Sequence, residues 1–118
     1  MIFTKKESFS EEEITKLSEE FETYIKTVID IDNKICSAGA NRHFENEAIL
    51  LEDGSKQSSL WGGGIDLKTL AIDNNSMINI RPNDNNTSNE IQDPQLRREF
   101  EGQMKYFFKV LFSSIAKK

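Results

Sequence analysis

Ser10-Glu-Glu-Glu-Ile-Thr-Lys-Leu-Ser-Glu-Glu-Phe-Glu-Thr-Tyr-Ile-Lys-Thr-Val-Ile-Asp-Ile-Asp-Asn-Lys-Ile-Cys-Ser-Ala38 carries two periodicities, and the place where one replaces the other decides the fold. Ser10 and Glu13 have the Ser-x-x-Glu spacing of a capping box, with Phe9 and Ile14 placed to close a hydrophobic staple. Glu11, Glu12 and Glu13 suit the positive end of a helix dipole. Ile14, Leu17, Phe21, Tyr24 and Ile25 then recur at helical spacing as one apolar stripe, opposite a Glu-rich face that water solvates. This predicts a helix over about 11–24. Beyond it the period falls to two. Ile25, Thr27, Ile29 and Ile31 alternate, Asp32-Asn33-Lys34 supplies turn residues, and Ile35-Cys36-Ser37-Ala38 follows, which reads as a β-hairpin. Cys36 is then a small buried strand residue.

Working towards the C-terminus, residues 43–53 fit two structures. Phe44, Ala48 and Leu51 suit a short helix ended by Asp53-Gly54, the favoured reading, and a strand ended by an Asp-Gly turn fits almost as well. Leu60-Trp61 begins a strand interrupted by Gly62-Gly63-Gly64. Ser76 to Arg81 reads as a strand stopped by Pro82, and Asn83 to Asn89 as a polar loop. Asp93-Pro94 is an N-cap followed by proline at the first helical position. Leu96, Phe100, Met104, Phe107, Phe108, Leu111 and Ile115 give the apolar face of a helix over about 94–115, which Phe112 broadens. The fold class is therefore α+β: a small antiparallel sheet with an N-terminal helix and a long C-terminal helix, in a single domain of residues 1–118. A last helix of ~33 Å is long for such a domain, so part of its aromatic face is expected to cover a second copy in a homodimer.

The totals exclude several classes. Of 118 residues, 36% are hydrophobic and 30% charged, with eight Phe, too aromatic for a disordered chain and too polar for a membrane protein. No apolar run approaches the ~20 residues needed to span a bilayer. The first six residues lack the apolar segment of a signal peptide, and Cys36 has no internal disulfide partner, so a cytoplasmic location is expected. The net charge is −5, distributed as −7 over residues 1–53, −2 over 54–93 and +4 over 94–118. That balance disfavours nucleic acid as a partner, since phosphate affinity comes from clustered Lys and Arg. The basic end suits a helix C-terminus.

Two polar patches flank the expected strand ends. In the first, His43 is the only histidine and could act as acid or base near neutral pH. In a helix Glu47 shares its face. In a strand His43, Glu45 and Glu47 align instead, and such a trio could orient the imidazole or bind a metal. The bland alternative is a surface histidine beside acids. One His and one distant Cys cannot supply a structural zinc site, and the sequence assigns no metal or cofactor. Asp53, Ser55 and Gln57 surround Gly54. Ser55 could be a nucleophile but lacks a Gly-x-Ser-x-Gly elbow, and a tight turn explains the segment as well. The triple glycine lacks the Gly-Lys-Ser/Thr of a phosphate loop, and Trp61 fits a core or interface better than a stacking platform. In the second patch, Asn79 and Arg81 would project from one strand face, where the planar guanidinium could grip an anion or pair with Asp93 or Glu90. Asn86 and Ser88 follow in the polar loop, within a glycosylation-type triplet that has no meaning in a cytoplasmic chain.

Leu50-Leu-Glu-Asp-Gly-Ser-Lys-Gln57 running into Leu60-Trp-Gly62, with His43 upstream and Ile78-Asn-Ile-Arg-Pro82 downstream, resembles a family of small prokaryotic domains of unknown function. Asn86, Ser88, Ile91 and Asp93-Pro94 fit the same pattern, as does Glu45, an acid two positions after the histidine. Gly64 stands where the family pattern usually has Asn. The resemblance implies an α+β fold and picks out these polar residues, but brings no known activity.

The leading expectation is a small-ligand site for an anion, with hydrolysis as an option. His43 would be acid or base, Glu45 or Glu47 its orienter, and Ser55 a candidate nucleophile. Arg81 and Asn79 would clamp the anion, with Asp53, Gln57, Asn86 and Ser88 completing the pocket. The alternative is a non-catalytic interaction or regulatory module working through the aromatic C-terminal helix.

Overall fold

The capping box closes as its spacing requires. Ser10 Oγ accepts from Glu13 N–H at 3.1 Å while Glu13 Oε1 accepts from Ser10 N–H at 2.8 Å. Residues 1–116 are described by a computed structural model, with side chains through Ser113. A short strand β1 (Phe3–Lys5) precedes helix α1 (Glu11–Glu20), and strands β2 (Tyr24–Asp30) and β3 (Ile35–Ala38) form the expected hairpin. Helix α2 (His43–Glu52) leads to β4 (Leu60–Asp66) and the two-residue β5 (Ile72–Asp73). Single 3₁₀ turns occupy Met77–Asn79 and Pro82–Asp84, and helices α3 (Pro94–Phe107) and α4 (Lys109–Ala116) end the chain. The strands make one antiparallel sheet in the order β1-β3-β2-β4-β5.

Pleating divides the sheet's side chains between two layers. On one face Ile25, Ile29, Cys36, Ala38 and Ile65 pack with Ile14 and Leu17 of α1 and Phe100, Met104, Phe107 and Phe108 of the last helices. Thr27, on the same face, donates to Met104 Sδ at 3.2 Å. On the other, Val28 and Leu60 meet Leu50 of α2 and Ile78. Among the described residues no helix is long and apolar enough to cross a membrane.

The structure corrects four sequence expectations. Helix α1 stops at Glu20, not 24, because the β2–β4 pairing extends to Tyr24↔Asp66 and draws Tyr24 into the sheet. The three glycines do not interrupt β4 but lie inside it, in register with Val28, Thr27 and Lys26. Ser76–Arg81 is not a strand; it turns at Met77–Asn79 and makes a single bridge, Arg81↔Asn86. The last helix is broken at Phe108 (φ −106°, ψ 22°). There Phe9 N–H claims the Phe107 carbonyl at 2.9 Å, and the Phe9 ring packs on both Phe107 and Phe108. A straight helix turns consecutive side chains ~100° apart; the break lets both rings reach the core. Phe100, Met104, Phe107 and Phe108 of that face are thus buried within their own chain, Leu96, Leu111 and Phe112 are half-buried, and the expected single helix of ~33 Å is two shorter ones. Ile115, also assigned to the face, lies outside the residues whose side chains are described.

Candidate functional site

Helix α2 is oriented against its own composition. Phe44, Ala48 and Leu51, the stripe expected inside, face solvent. Asn46 and Leu50 are buried and His43 and Glu47 half-buried, so the more polar side faces the sheet. The helix begins at Arg42, whose N–H donates to Glu45 Oε1 at 3.0 Å. Arginine has no acceptor with which to return the bond. Glu45 is therefore an exposed residue tied to the helix entry, and the helical alternative for residues 43–53 places it off the His43 face. At the other end the C-terminus closes in a Schellman pattern. Ser55 N–H donates to Leu50 O at 3.0 Å and Gly54 N–H to Leu51 O at 3.1 Å, with Gly54 at φ 103°.

His43 lies over β4, with Nε2 2.7 Å from the Gly63 carbonyl. A carbonyl can only accept, so the proton sits on Nε2 and the free lone pair on Nδ1. The orienting group is thus a main-chain carbonyl rather than Glu45 or Glu47. Burial pulls the imidazole below its ordinary 6.5; the Gly63 hydrogen bond and the Asp73 charge oppose this, while Lys26 adds to it. His43 consequently carries no charge at neutral pH. Between pH 6.5 and its lower folded value the unfolded chain binds the extra proton, so stability is expected to fall as pH drops below about 6.5, with a slope of at most ~1.4 kcal/mol per pH unit. Urea titrations from pH 7.5 to 5 check this: the slope vanishes in His43→Gln, and an unchanged slope would mean that another group carries it. Asp30 titrates in a separate window. Burial pushes its carboxyl up, but hydrogen bonds from Ser55 and Asn33 outweigh that and hold it below its ordinary value. Its contribution is lost only below about pH 4.

Around His43 opens a cleft of about 610 Å³ between α2 and the segment 75–78, with Lys26 and Arg42 beside the histidine. Phe44, Met77 and Ile78 supply apolar wall, and Asn75, Ser76 and Asn89 the polar remainder. Lys26 Nζ is steadied by the Asn41 carbonyl at 2.8 Å. The cation–aromatic contact of Arg42 with Phe44 is 5.9 Å from the ring centroid.

The other expected site residues gather elsewhere. His43 and Ser55 lie at opposite ends of α2, a helix about 15 Å long. Ser55 Oγ donates to Asp30 Oδ2 at 2.6 Å. Asp53 caps the helix and is exposed. Gln57 and Arg81 share a smaller cleft of about 340 Å³ with Ser58 and Asp84. The Arg81 side chain, 10% exposed, donates from Nη1 to Leu60 O at 2.7 Å and pairs through Nε with Asp84 at 3.0 Å, not with Asp93 or Glu90. Its guanidinium stacks 4.1 Å from the Trp61 ring centroid. Burial draws Arg81 below the ordinary guanidinium value, opposed by Asp84 and by Glu47. Glu47 Oε2 and Arg81 Nη2 are both buried without a hydrogen-bond partner.

Asn79 and Asn86 brace main chain. Asn79 Oδ1 accepts from Gly62 N–H at 2.9 Å, and its Nδ2 donates towards the carbonyls of Gly62, Asn74 and Asn89. Asn86 Nδ2 donates towards the carbonyls of Asn79, Ser88 and Glu90, and its Oδ1 accepts from Gln92 N–H. Ser88 Oγ accepts from Glu90 N–H at 3.1 Å.

Sequence reasoning singled out His43 but missed its cationic neighbours Lys26 and Arg42, and also Asn75, Ser76 and Asn89. Lys26 was legible only as the outward residue between Ile25 and Thr27; Arg42 had the simple signal of adjacency to His43. Among the described residues no three His, Cys, Asp or Glu side chains converge as a metal-holding group. No curated protein and no solved structure matches the chain. A family profile described as protein of unknown function (DUF5674) matches residues 3–106, and the chain belongs to that family.

Proposed function

We propose that this is a cytoplasmic domain that binds a small anionic ligand in the cleft between α2 and residues 75–78, as a binding module rather than a hydrolase. The observation that carries the reading is the convergence of Lys26, Arg42 and an oriented, uncharged His43 on one cleft. Clefts of this size with a few convergent polar groups are where small ligands bind. Two cationic side chains give the preference for an anion. Against hydrolysis stands the separation of His43 from Ser55, which keeps those two from acting as a nucleophile–base pair. Arg81 is committed to Leu60, Asp84 and Trp61, so the anion contacts fall to Lys26 and Arg42.

The test is a thermal-shift panel of phosphate, sulfate, citrate and aliphatic and aromatic carboxylates. A ligand at ~100 times its Kd adds about 2.7 kcal/mol, a rise on the order of ten degrees for a domain of this length. The rise is expected to disappear in a Lys26→Gln/Arg42→Gln double variant whose unliganded melting temperature is unchanged. A panel without a hit, or a hit that survives in the double variant, overturns the reading.

A further inference from the structure

We infer that the ligand of this cleft is a monoanion carrying an apolar body, of the aryl- or alkyl-carboxylate class; the inference rests on the anion-binding reading above and narrows it. The first argument is charge. Lys26 and Arg42 bring two positive charges and His43 none, while the Asp73 carboxylate acts on the same imidazole from the neighbouring strand. Asp73 is fixed there by Tyr24 O–H, which donates to Oδ2 at 2.7 Å, and by Asn75 N–H, which donates to Oδ1 at 2.9 Å. Against the two cations stand Asp73 and, at the helix entry beside Arg42, Glu45, so the cleft carries little net positive charge and takes a singly charged carboxylate more readily than a doubly charged anion. A phosphate dianion would leave an uncompensated negative charge beside Asp73.

The second argument is the wall. Met77 is 78% exposed and Phe44 54%, and both line the cleft with Ile78. Their exposure is built in. The inverted packing of α2 turns Phe44 away from the core, and the 3₁₀ turn holds Met77 outward while Ile78 enters the small cluster under α2. An inorganic anion held by Lys26 and Arg42 would leave this apolar surface wet, whereas an aryl or alkyl body covers it. Methionine suits that task because its unbranched thioether adapts to ligand shape. The cationic head site and the apolar wall meet at Arg42–Phe44, where the guanidinium stands against the ring, so one molecule can use both.

The experiment is isothermal titration with 4-phenylbutyrate, compared with 4-phenylbutanol (body without charge), acetate (charge without body) and phenyl phosphate (dianionic head). The carboxylate is expected to bind at least about tenfold more tightly than each of the three, about 1.4 kcal/mol. Lys26→Gln should weaken 4-phenylbutyrate about tenfold and leave the alcohol unchanged, and Met77→Gln should weaken both. Both side chains are outside the core, so far-UV circular dichroism and the melting temperature serve as fold controls. Acetate or phenyl phosphate binding as tightly as 4-phenylbutyrate overturns the inference while the anion-binding reading stands. So does a thermal response to phosphate with none to 4-phenylbutyrate. Absence of binding by every anion, phosphate included, overturns both.

Discussion

Gly63→Ala is expected to destabilise the protein by about 3 kcal/mol, at the upper end of the usual cost of overpacking, and to lower its melting temperature on the order of ten degrees. A Cβ at this position would lie 2.2 Å from the Asp73 carbonyl oxygen and 2.7–2.8 Å from the Phe100 ring. Neither neighbour can yield cheaply. Asp73 is main chain of the paired strand β5, and Phe100 is wholly buried against the sheet. The methyl group therefore has to part β5 from β4 or push α3 off the sheet. Since Gly63 O orients the His43 ring, the same displacement should alter the imidazole resonances. Gly102→Ala is the internal control. Its Cβ would meet nothing within 4 Å, and it sits inside α3, so it should stabilise by roughly 0.5–1 kcal/mol through helix propensity and the unfolded chain. Urea denaturation of both variants checks the contrast. A loss below ~1 kcal/mol for Gly63→Ala would mean that the β4–α3 contact is looser than its distances imply.

The two glycines also mark what was legible in the sequence. Signals carried within a few residues were readable: the Ser10–Glu13 box, the 25–38 hairpin, and the Asp93-Pro94 helix start, where Asp93 Oδ1 accepts from Gln95 N–H. Features decided by distant residues were not. Gly62–Gly64 looked like a break because glycine weakens an isolated strand, yet the strand needs them where Ser76, Asp73, Phe100 and Tyr24 press close. Residues 76–81 looked like a strand because Ile78 and Ile80 alternate. Only Ile78 is used, and Ile80 is exposed. At the candidate site His43 was legible as the only histidine, but its surroundings depend on α2 burying its polar side, which reverses the apolar-stripe rule. The separation of His43 from Ser55, by contrast, follows from either reading of residues 43–53, about 15 Å as a helix and more as a strand.

Asn79→Ala is expected to cost on the order of 3–4 kcal/mol, a large share of the 5–15 kcal/mol that typically separates folded from unfolded domains. The reason is the open edge of β4. Strand β5 covers only Gly64 and Ile65. Further along, at Gly62, the Asn79 side chain takes the place of a strand, its carboxamide accepting from Gly62 N–H and donating to Gly62 O as a peptide group would. At Leu60 the Arg81 guanidinium does the same for the carbonyl. Truncation leaves Gly62 N–H buried without a partner, at about 1–3 kcal/mol, and deprives the Asn74 and Asn89 carbonyls of their shared donor. Asn79→Asp separates hydrogen bonding from space-filling. It keeps the shape and the acceptor for Gly62 N–H, but it turns the donating edge into a carboxylate oxygen facing three carbonyls, so it should be at least as damaging as alanine despite removing no volume. Hydrogen exchange adds a local reading: in Asn79→Ala the Gly62 amide should exchange faster than its β4 neighbours. If aspartate were tolerated better than alanine, Asn79 would be acting as filler, and the edge of β4 would be held by Arg81 and the Ile78 packing instead.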